Sequence, residues 1–193
     1  MVPATARTKA LVVLLNEHEA AQRLMPVATF DEVMRHQKDE RDSMPVAIVG
    51  PPGSGKSFAL TAFVRECIKR RISFILFDVI GEHSEVPKTV NYYDFMGFRF
   101  AGHAQMRVVF PKDGALRRTA MKQIVDALER AIAEDRLGEY VLLFEEAYEF
   151  SDSPAFLKFV SKVRKWARLC VVLSTDPKPF APFCVVLRPA PRP

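Results

Sequence analysis

The sequence predicts an α/β domain built on a mainly parallel sheet with helices on both faces, and three observations predict it. Short apolar runs recur along the chain, at Val46–Val49, Ile72–Phe77, Met106–Phe110, Val141–Phe144 and Leu169–Ser174. Segments with a 3.6-residue apolar period fall between them. The first run leads straight into a glycine-rich loop, and that loop leads straight into the first amphipathic segment. Strands buried on both faces read as continuous apolar runs, and a strand–helix–strand order closes most simply as a parallel sheet.

Taken in order, residues 1–44 read as an N-terminal extension. It holds the apolar run Ala10–Leu15 and then Thr29-Phe-Asp-Glu32, the pattern of a capping box opening a short helix, followed by the charged stretch His36–Asp42. The domain proper spans 45–187. Its first helix is expected from Lys56 to Arg70, with Leu60, Phe63, Val64, Cys67 and Ile68 on one face. The second strand ends at Asp78. Residues 83–105 are aromatic-rich and read as irregular; Asn91–Phe100, with Arg99, is a candidate pore loop, and the favoured alternative makes Tyr92, Phe95 and Phe98 packing residues. A long helix is expected from Leu116 to Leu137, with its stripe on Ala120, Met121, Ile124, Val125, Leu128, Ala131 and Ile132 and its stop at Gly138. Ser153-Pro154 opens another helix running to Trp166, and Cys184–Leu187 is a candidate last strand. Residues 188–193 form a proline-rich basic tail.

Composition sets bounds. The chain has 193 residues, 49% hydrophobic, enough for one domain with its own core. The net charge of +5 and pI near 9.2 are compatible with a polyanion partner, though many enzymes share them. Three cysteines without a paired or ligand-like spacing point to a reducing compartment rather than a disulfide framework. The run Ala10–Leu15 is too short for a membrane span or a signal core, so the expected location is cytoplasmic.

The chemistry is carried by Gly50-Pro51-Pro52-Gly53-Ser54-Gly55-Lys56-Ser57. The glycines let the backbone turn its N–H groups inward on phosphate oxygens, and the helix that follows adds its positive end. Lys56 brings a point charge to the β- and γ-phosphates, and the Ser57 hydroxyl is a magnesium ligand. The second element is Tyr140-Val-Leu-Leu-Phe-Glu-Glu146, an apolar strand delivering two acids at its C-terminal edge. Neighbouring side chains on a strand point to opposite faces, so the two acids do different work. Glu145 is assigned to the magnesium shell and Glu146 to the attacking water. The expected fold class is therefore a P-loop NTPase, RecA/ASCE-like, with ATP and Mg2+ as cofactors. A water-activating acid favours hydrolysis over transfer to a metabolite, and GTP is not excluded.

Two further segments bear a resemblance. Ile75-Leu-Phe-Asp-Val-Ile-Gly-Glu-His83 looks like a D-x-x-G-E-aromatic signature, with His83 at the aromatic position. Val163-Arg-Lys-Trp-Ala-Arg-Leu-Cys-Val-Val-Leu-Ser-Thr-Asp-Pro177 looks like an R-K-aromatic helix end leading into a strand that closes on S-Q-x-P. With the P-loop and the acid pair, these make residues 46–178 resemble the FtsK/HerA superfamily of DNA-pumping ATPases. The family's sensor glutamine falls on Thr175, a shorter group.

The resemblance implies a homo-oligomeric ring, usually a hexamer, completed by an arginine from the neighbouring subunit, for which Arg164 and Arg168 are the candidates. It implies sequence-independent binding of double-stranded DNA, for which Lys158, Lys162 and Lys165 at i, i+4 and i+7 offer a basic stripe. A solvated helix face explains that stripe equally well. Asp78 is a candidate support for the magnesium shell, and Glu82 either a catalytic or an intersubunit residue. The implied role is an ATP-hydrolysing DNA translocase of the viral genome-packaging kind, with a capsid or membrane-vertex protein as a partner and no transmembrane segment of its own. The alternatives are another HerA-like ATPase of conjugation or repair, and a nucleotide-gated assembly scaffold with little turnover.

Overall fold

The computed structural model describes residues 28–38 and 43–189. The Ala10–Leu15 run and most of the tail, 190–193, lie outside the described residues. Seven strands make one sheet: β1 Val46–Val49, β2 Phe74–Asp78, β3 Lys88–Asn91, β4 Gln105–Val109, β5 Val141–Phe144, β6 Leu169–Ser174 and β7 Val185–Leu187. They lie in the order β3-β4-β2-β5-β6-β1-β7, and all six neighbouring pairs run parallel.

Strand parity sorts the core into two layers. Val46 and Ile48 of β1, Phe74 and Leu76 of β2, Val141 and Leu143 of β5, and Val171 and Leu173 of β6 join one cluster. That cluster also holds Leu60, Phe63, Val64 and Cys67 of the helix Lys56–Lys69, here α2. The intervening residues, among them Val49, Phe77, Phe144 and Val172, join the other. There they meet Met121, Ile124 and Leu128 of Gly114–Ala133, here α4, and Phe156, Phe159 and Val160 of Pro154–Lys162, here α5. Phe77 stacks on Phe144 with centroids 4.5 Å apart, and Phe156 meets Phe144 edge-on at 5.3 Å. This aromatic layer lies directly behind the acid pair.

Residues 28–38 dock on this frame. Helix α1, Phe30–Met34, is opened by Thr29, whose hydroxyl accepts from the Glu32 N–H at 3.2 Å. Phe30 packs on Phe63 with centroids 5.1 Å apart, and the Ala28 N–H donates to the Arg188 carbonyl at 2.8 Å. Cys67, Cys170 and Cys184 are buried free thiols. Among the described residues no helix is long and apolar enough to cross a membrane.

Several boundaries differ from expectation. The stretch 83–105 is not wholly irregular: it holds edge strand β3 and a one-turn helix α3, Tyr92–Phe95, opened by the Asn91 side chain accepting from the Asp94 N–H at 2.9 Å. Tyr92 and Phe95 are buried and Phe98 is half-buried. The long helix ends at Ala133, not near Gly138. There Asp135 adopts φ +52°, the Asp135 N–H bonds to the Ile132 carbonyl and the Arg136 N–H to the Ala131 carbonyl. A pair of reversed hydrogen bonds closes the last turn without a glycine. Ser153 caps α5 as its sequence implies, but the α-helix stops at Lys162 and Val163–Lys165 forms a tighter 3-10 turn.

Candidate functional site

The site lies at the C-terminal edge of the sheet, between β1 and α2. Gly53 and Gly55 take φ of +77° and +97°, a region a side chain disfavours, and this turns the loop back toward the sheet. Gly55 is the N-cap of α2 and offers no side chain to the first-turn N–H groups. A fourteen-residue helix thus presents uncapped donors and its positive end to the loop. The Gly50 N–H ties the loop to β6 through the Ser174 carbonyl at 3.2 Å.

A cavity of about 300 Å³ opens over this loop. It is lined by Pro52, Gly53, Gly55, Lys56, Ser57, Phe58, Glu146 and Thr175. Lys56 is buried, and its Nζ donates to the carbonyls of Gly50 at 2.7 Å and Pro51 at 3.2 Å. Burial pulls the Lys56 pKa below its ordinary value, while the negative charge of Glu146 opposes that shift. Glu146 itself sits at φ +45°, ψ +39°, left-handed backbone for a residue with a Cβ. Such strain costs on the order of 1–3 kcal/mol and concentrates at functional positions. Here it accompanies a carboxylate turned into the loop cavity. Thr175 reaches the same cavity from the end of β6.

Glu145 faces elsewhere. The β2–β5 register pairs Phe77 with Phe144, so the next residues, Asp78 and Glu145, fall side by side on the α2 face. Both are fully buried. Asp78 accepts from the N–H groups of Gly81 at 2.6 Å and His83 at 3.2 Å and pairs with Arg107 at 3.2 Å. This folds the segment after β2 back on itself. His83 then lies with Nε2 3.2 Å from Glu145 Oε1 and Nδ1 3.1 Å from Glu85 Oε1. Both ring nitrogens face carboxylate oxygens, which an imidazolium satisfies with two donors.

The ionisation follows from these contacts. Burial works against the His83 charge, but the bonds to Glu145 and Glu85 and the charges of Glu145 and Asp78 outweigh it and raise the pKa to about 9. Burial would raise Asp78 too, yet hydrogen bonds from Glu145, Gly81 and His83 hold it below its ordinary value. In Glu145 burial dominates, and the carboxyl is pushed up despite His83. Glu145 Oε2 is buried and receives no donor, and the Asp78 carboxyl is the group with which Glu145 shares a hydrogen bond.

The other predicted residues spread over the molecule. Arg164 and Arg168 precede β6, at the opposite end of the strands from the P-loop. Arg164 is exposed and reaches the Ser43 carbonyl at 3.4 Å; Arg168 is half-buried and donates to Gln37 at 3.0 Å. Neither lines the cavity of its own chain. Lys158, Lys162 and Lys165 are exposed, but the α-helix ends at Lys162, so Lys165 does not continue its helical stripe. Glu82 is exposed on the Asp78–His83 turn. Sequence reasoning missed Phe58 and Arg107. Phe58 immediately follows Lys56-Ser57 and is 43% exposed at the cavity, an unusual place for a large apolar side chain. Arg107 has no local signal, since it meets Asp78 only across the sheet.

A parallel sheet with a lysine-bearing glycine loop at its carboxyl edge, and acids at the end of β5, one strand removed across β6, defines the class: this is a P-loop NTPase fold. Residues 40–108, about a third of the chain, match the family described as the central domain of helicase HerA. The match covers the P-loop, β2 and the Asp78–His83 turn. Among solved structures the chain is similar to the genome packaging NTPase B204 from Sulfolobus turreted icosahedral virus 2. With ATP-gammaS bound, that structure matches at 23% identity over 69% of this chain and 64% of that one, with a TM-score of 0.49. Its AMPPCP complex matches at 24% identity over the same shares, also with a TM-score of 0.49. The chain thus spans under two thirds of the structures' length. No match is found among curated proteins.

Proposed function

We propose that this protein is an ATP-hydrolysing double-stranded DNA translocase and that its working context is viral genome packaging. The observation that carries hydrolysis is the meeting of Lys56, Glu146 and Thr175 around one cavity. In this reading the N–H groups of residues 53–57 and the start of α2 hold the phosphates. Lys56 leaves its loop carbonyls for the β- and γ-phosphates. Glu146 orients and polarises the water that attacks the terminal phosphorus, and charge passes to the leaving diphosphate oxygen. Thr175 offers a hydroxyl to the terminal phosphate or to that water.

The residues offered to a magnesium ion are Ser57, which lines the cavity, and Glu145, a buried carboxyl at the end of β5, one strand removed from the loop strand. Ser57 and Glu145, the latter through water, would hold it, and the ion would neutralise charge on the β- and γ-phosphates. The DNA reading rests on the HerA-type segment and the net charge of +5. Ring assembly with an arginine in trans follows from the same reading. It agrees with Arg164 being exposed and remote from its own cavity. A nucleotide-gated scaffold is the second reading, favoured by Thr175 where the resemblance expects a glutamine.

The test is steady-state ATP hydrolysis with and without long double-stranded DNA, at low and moderate salt. Stimulation that fades as salt rises and is lost in Glu146→Gln supports a motor. Tight ATP binding with negligible turnover in every condition supports the scaffold instead.

A further inference from the structure

We infer that Phe58 is the stacking platform for the nucleotide base, and that the site therefore takes adenine and guanine nucleotides alike; this rests on the reading of residues 50–57 as a phosphate loop. Phe58 lines the loop cavity and is nevertheless 43% exposed. Among the described residues it joins neither apolar layer of the core, although Leu60 and Phe63 of the same helix are buried in one. Packing of this chain thus leaves the ring uncovered. An apolar face held in water gains stability when a ligand covers it, and a flat aromatic base covers a phenyl ring well.

The position suits a base rather than a phosphate. The first helical bond of α2 runs from the Ala59 N–H to the Gly55 carbonyl at 2.9 Å. The N–H groups of Lys56, Ser57 and Phe58 precede it and lie outside the helical ladder. In the phosphate-loop reading the Lys56 side chain serves the β- and γ-phosphates. The last of the three backbone donors, at Phe58, then falls to the α-phosphate, and the nucleoside follows on the side where the ring projects. The cavity's remaining side chains with polar groups are Lys56, Ser57, Glu146 and Thr175, and the reading assigns each to the phosphate end. No lining side chain is left to read the hydrogen-bonding edge of a base. Stacking makes no such reading, because every base has a π face.

The experiment titrates ATP, GTP and tripolyphosphate into the full chain by calorimetry, for wild type, Phe58→Ala, Phe58→Leu and Phe58→Tyr. Tripolyphosphate carries the charge without the nucleoside, so it reports the loop alone. In wild type, GTP should bind within about threefold of ATP and tripolyphosphate about tenfold more weakly than either. Phe58→Ala should weaken ATP and GTP about tenfold and leave tripolyphosphate within about twofold, while Phe58→Tyr stays close to wild type. Unchanged ATP affinity in Phe58→Ala overturns the inference. So does an equal loss for tripolyphosphate, which would make the ring a support of the loop or of an interface between copies. Phe58→Leu matching wild type would leave apolar bulk, not stacking, as the cause. A wild-type preference above about tenfold for one base would contradict the tolerance that stacking confers, and a wild type that binds no nucleotide overturns the inference outright. Nucleotide affinity that depends on Phe58 without hydrolysis would defeat the proposed function and leave this inference standing. Hydrolysis with an ATP affinity indifferent to Phe58 would do the reverse.

Discussion

The Nζ of Lys56 donates to the carbonyl of Gly50, six residues earlier, at 2.7 Å. The lysine thus closes the loop on itself, occupying the space that the reading gives to phosphate oxygens. Replacing these neutral acceptors by charged ones strengthens its hydrogen bonds about twofold, so nucleotide should draw it away. Lys56→Ala is expected to lose most nucleotide affinity and all turnover. A fluorescent-nucleotide titration checks this, and normal ATP turnover by the variant would remove the P-loop from the mechanism.

Glu146 makes two separable predictions. Glu146→Gln keeps the shape and removes the charge, so it should bind ATP and hydrolyse it about 10²–10⁴-fold more slowly, the usual worth of a positioned base. Glu146→Gly removes the Cβ from left-handed backbone at φ +45° and should be equally inactive yet more stable, by about 0.5–1 kcal/mol. Thermal melts beside activity assays test the pair. A Glu146→Gly protein that melts below wild type would show that the strain is not intrinsic to the backbone.

His83 sets a pH window for stability. Its folded pKa, about 9, lies above the ordinary 6.5, so its contribution is fully present below about 6.5 and is lost as pH rises through about 9. The melting temperature should therefore fall between these values, and His83→Gln should flatten the fall. A wild-type protein whose melt is level from pH 6.5 to 9 would contradict the charged state assigned to the ring.

Phe144 stacks on Phe77 and meets Phe156 and Phe159, all within the layer behind the acids. Phe144→Ala should cost about 3–5 kcal/mol. Because Glu145 and Glu146 follow it directly, hydrolysis should fall further than the folded fraction does. Denaturant unfolding beside activity per folded molecule measures both.

The two arginines should separate. Arg168 is half-buried and tied to Gln37, so Arg168→Ala should lower the melting temperature. Arg164 is exposed with one long contact, so Arg164→Ala should leave stability within about 0.5 kcal/mol. If Arg164 completes a neighbour's site, Arg164→Ala will bind ATP normally and depress the activity of wild-type subunits mixed with it. Additive activities in the mixtures would end its candidacy.

What the sequence by itself determined is what lies within short range along the chain. The phosphate loop is eight contiguous residues, and its glycines, its lysine and the following helix need no distant partner to be read. Strand composition announced a parallel sheet, because burial on both faces demands apolar residues at every position. Glu145 and Glu146 do point different ways, but the strand ends at Phe144 and the left-handed backbone at Glu146, not strand alternation, separates them: one is buried and the other lines the cavity. What only the tertiary structure decided is what register and chain reversal bring together. Asp78 and Glu145 are 67 positions apart and become neighbours because β2 and β5 pair in one particular register. In the sequence His83 is only a histidine at an aromatic position. It meets Glu145 because Asp78 gathers two backbone N–H groups and folds the turn over. Local propensity carries no record of such contacts, since their energy comes from burial and charge balance across strands that the chain joins only once it has folded.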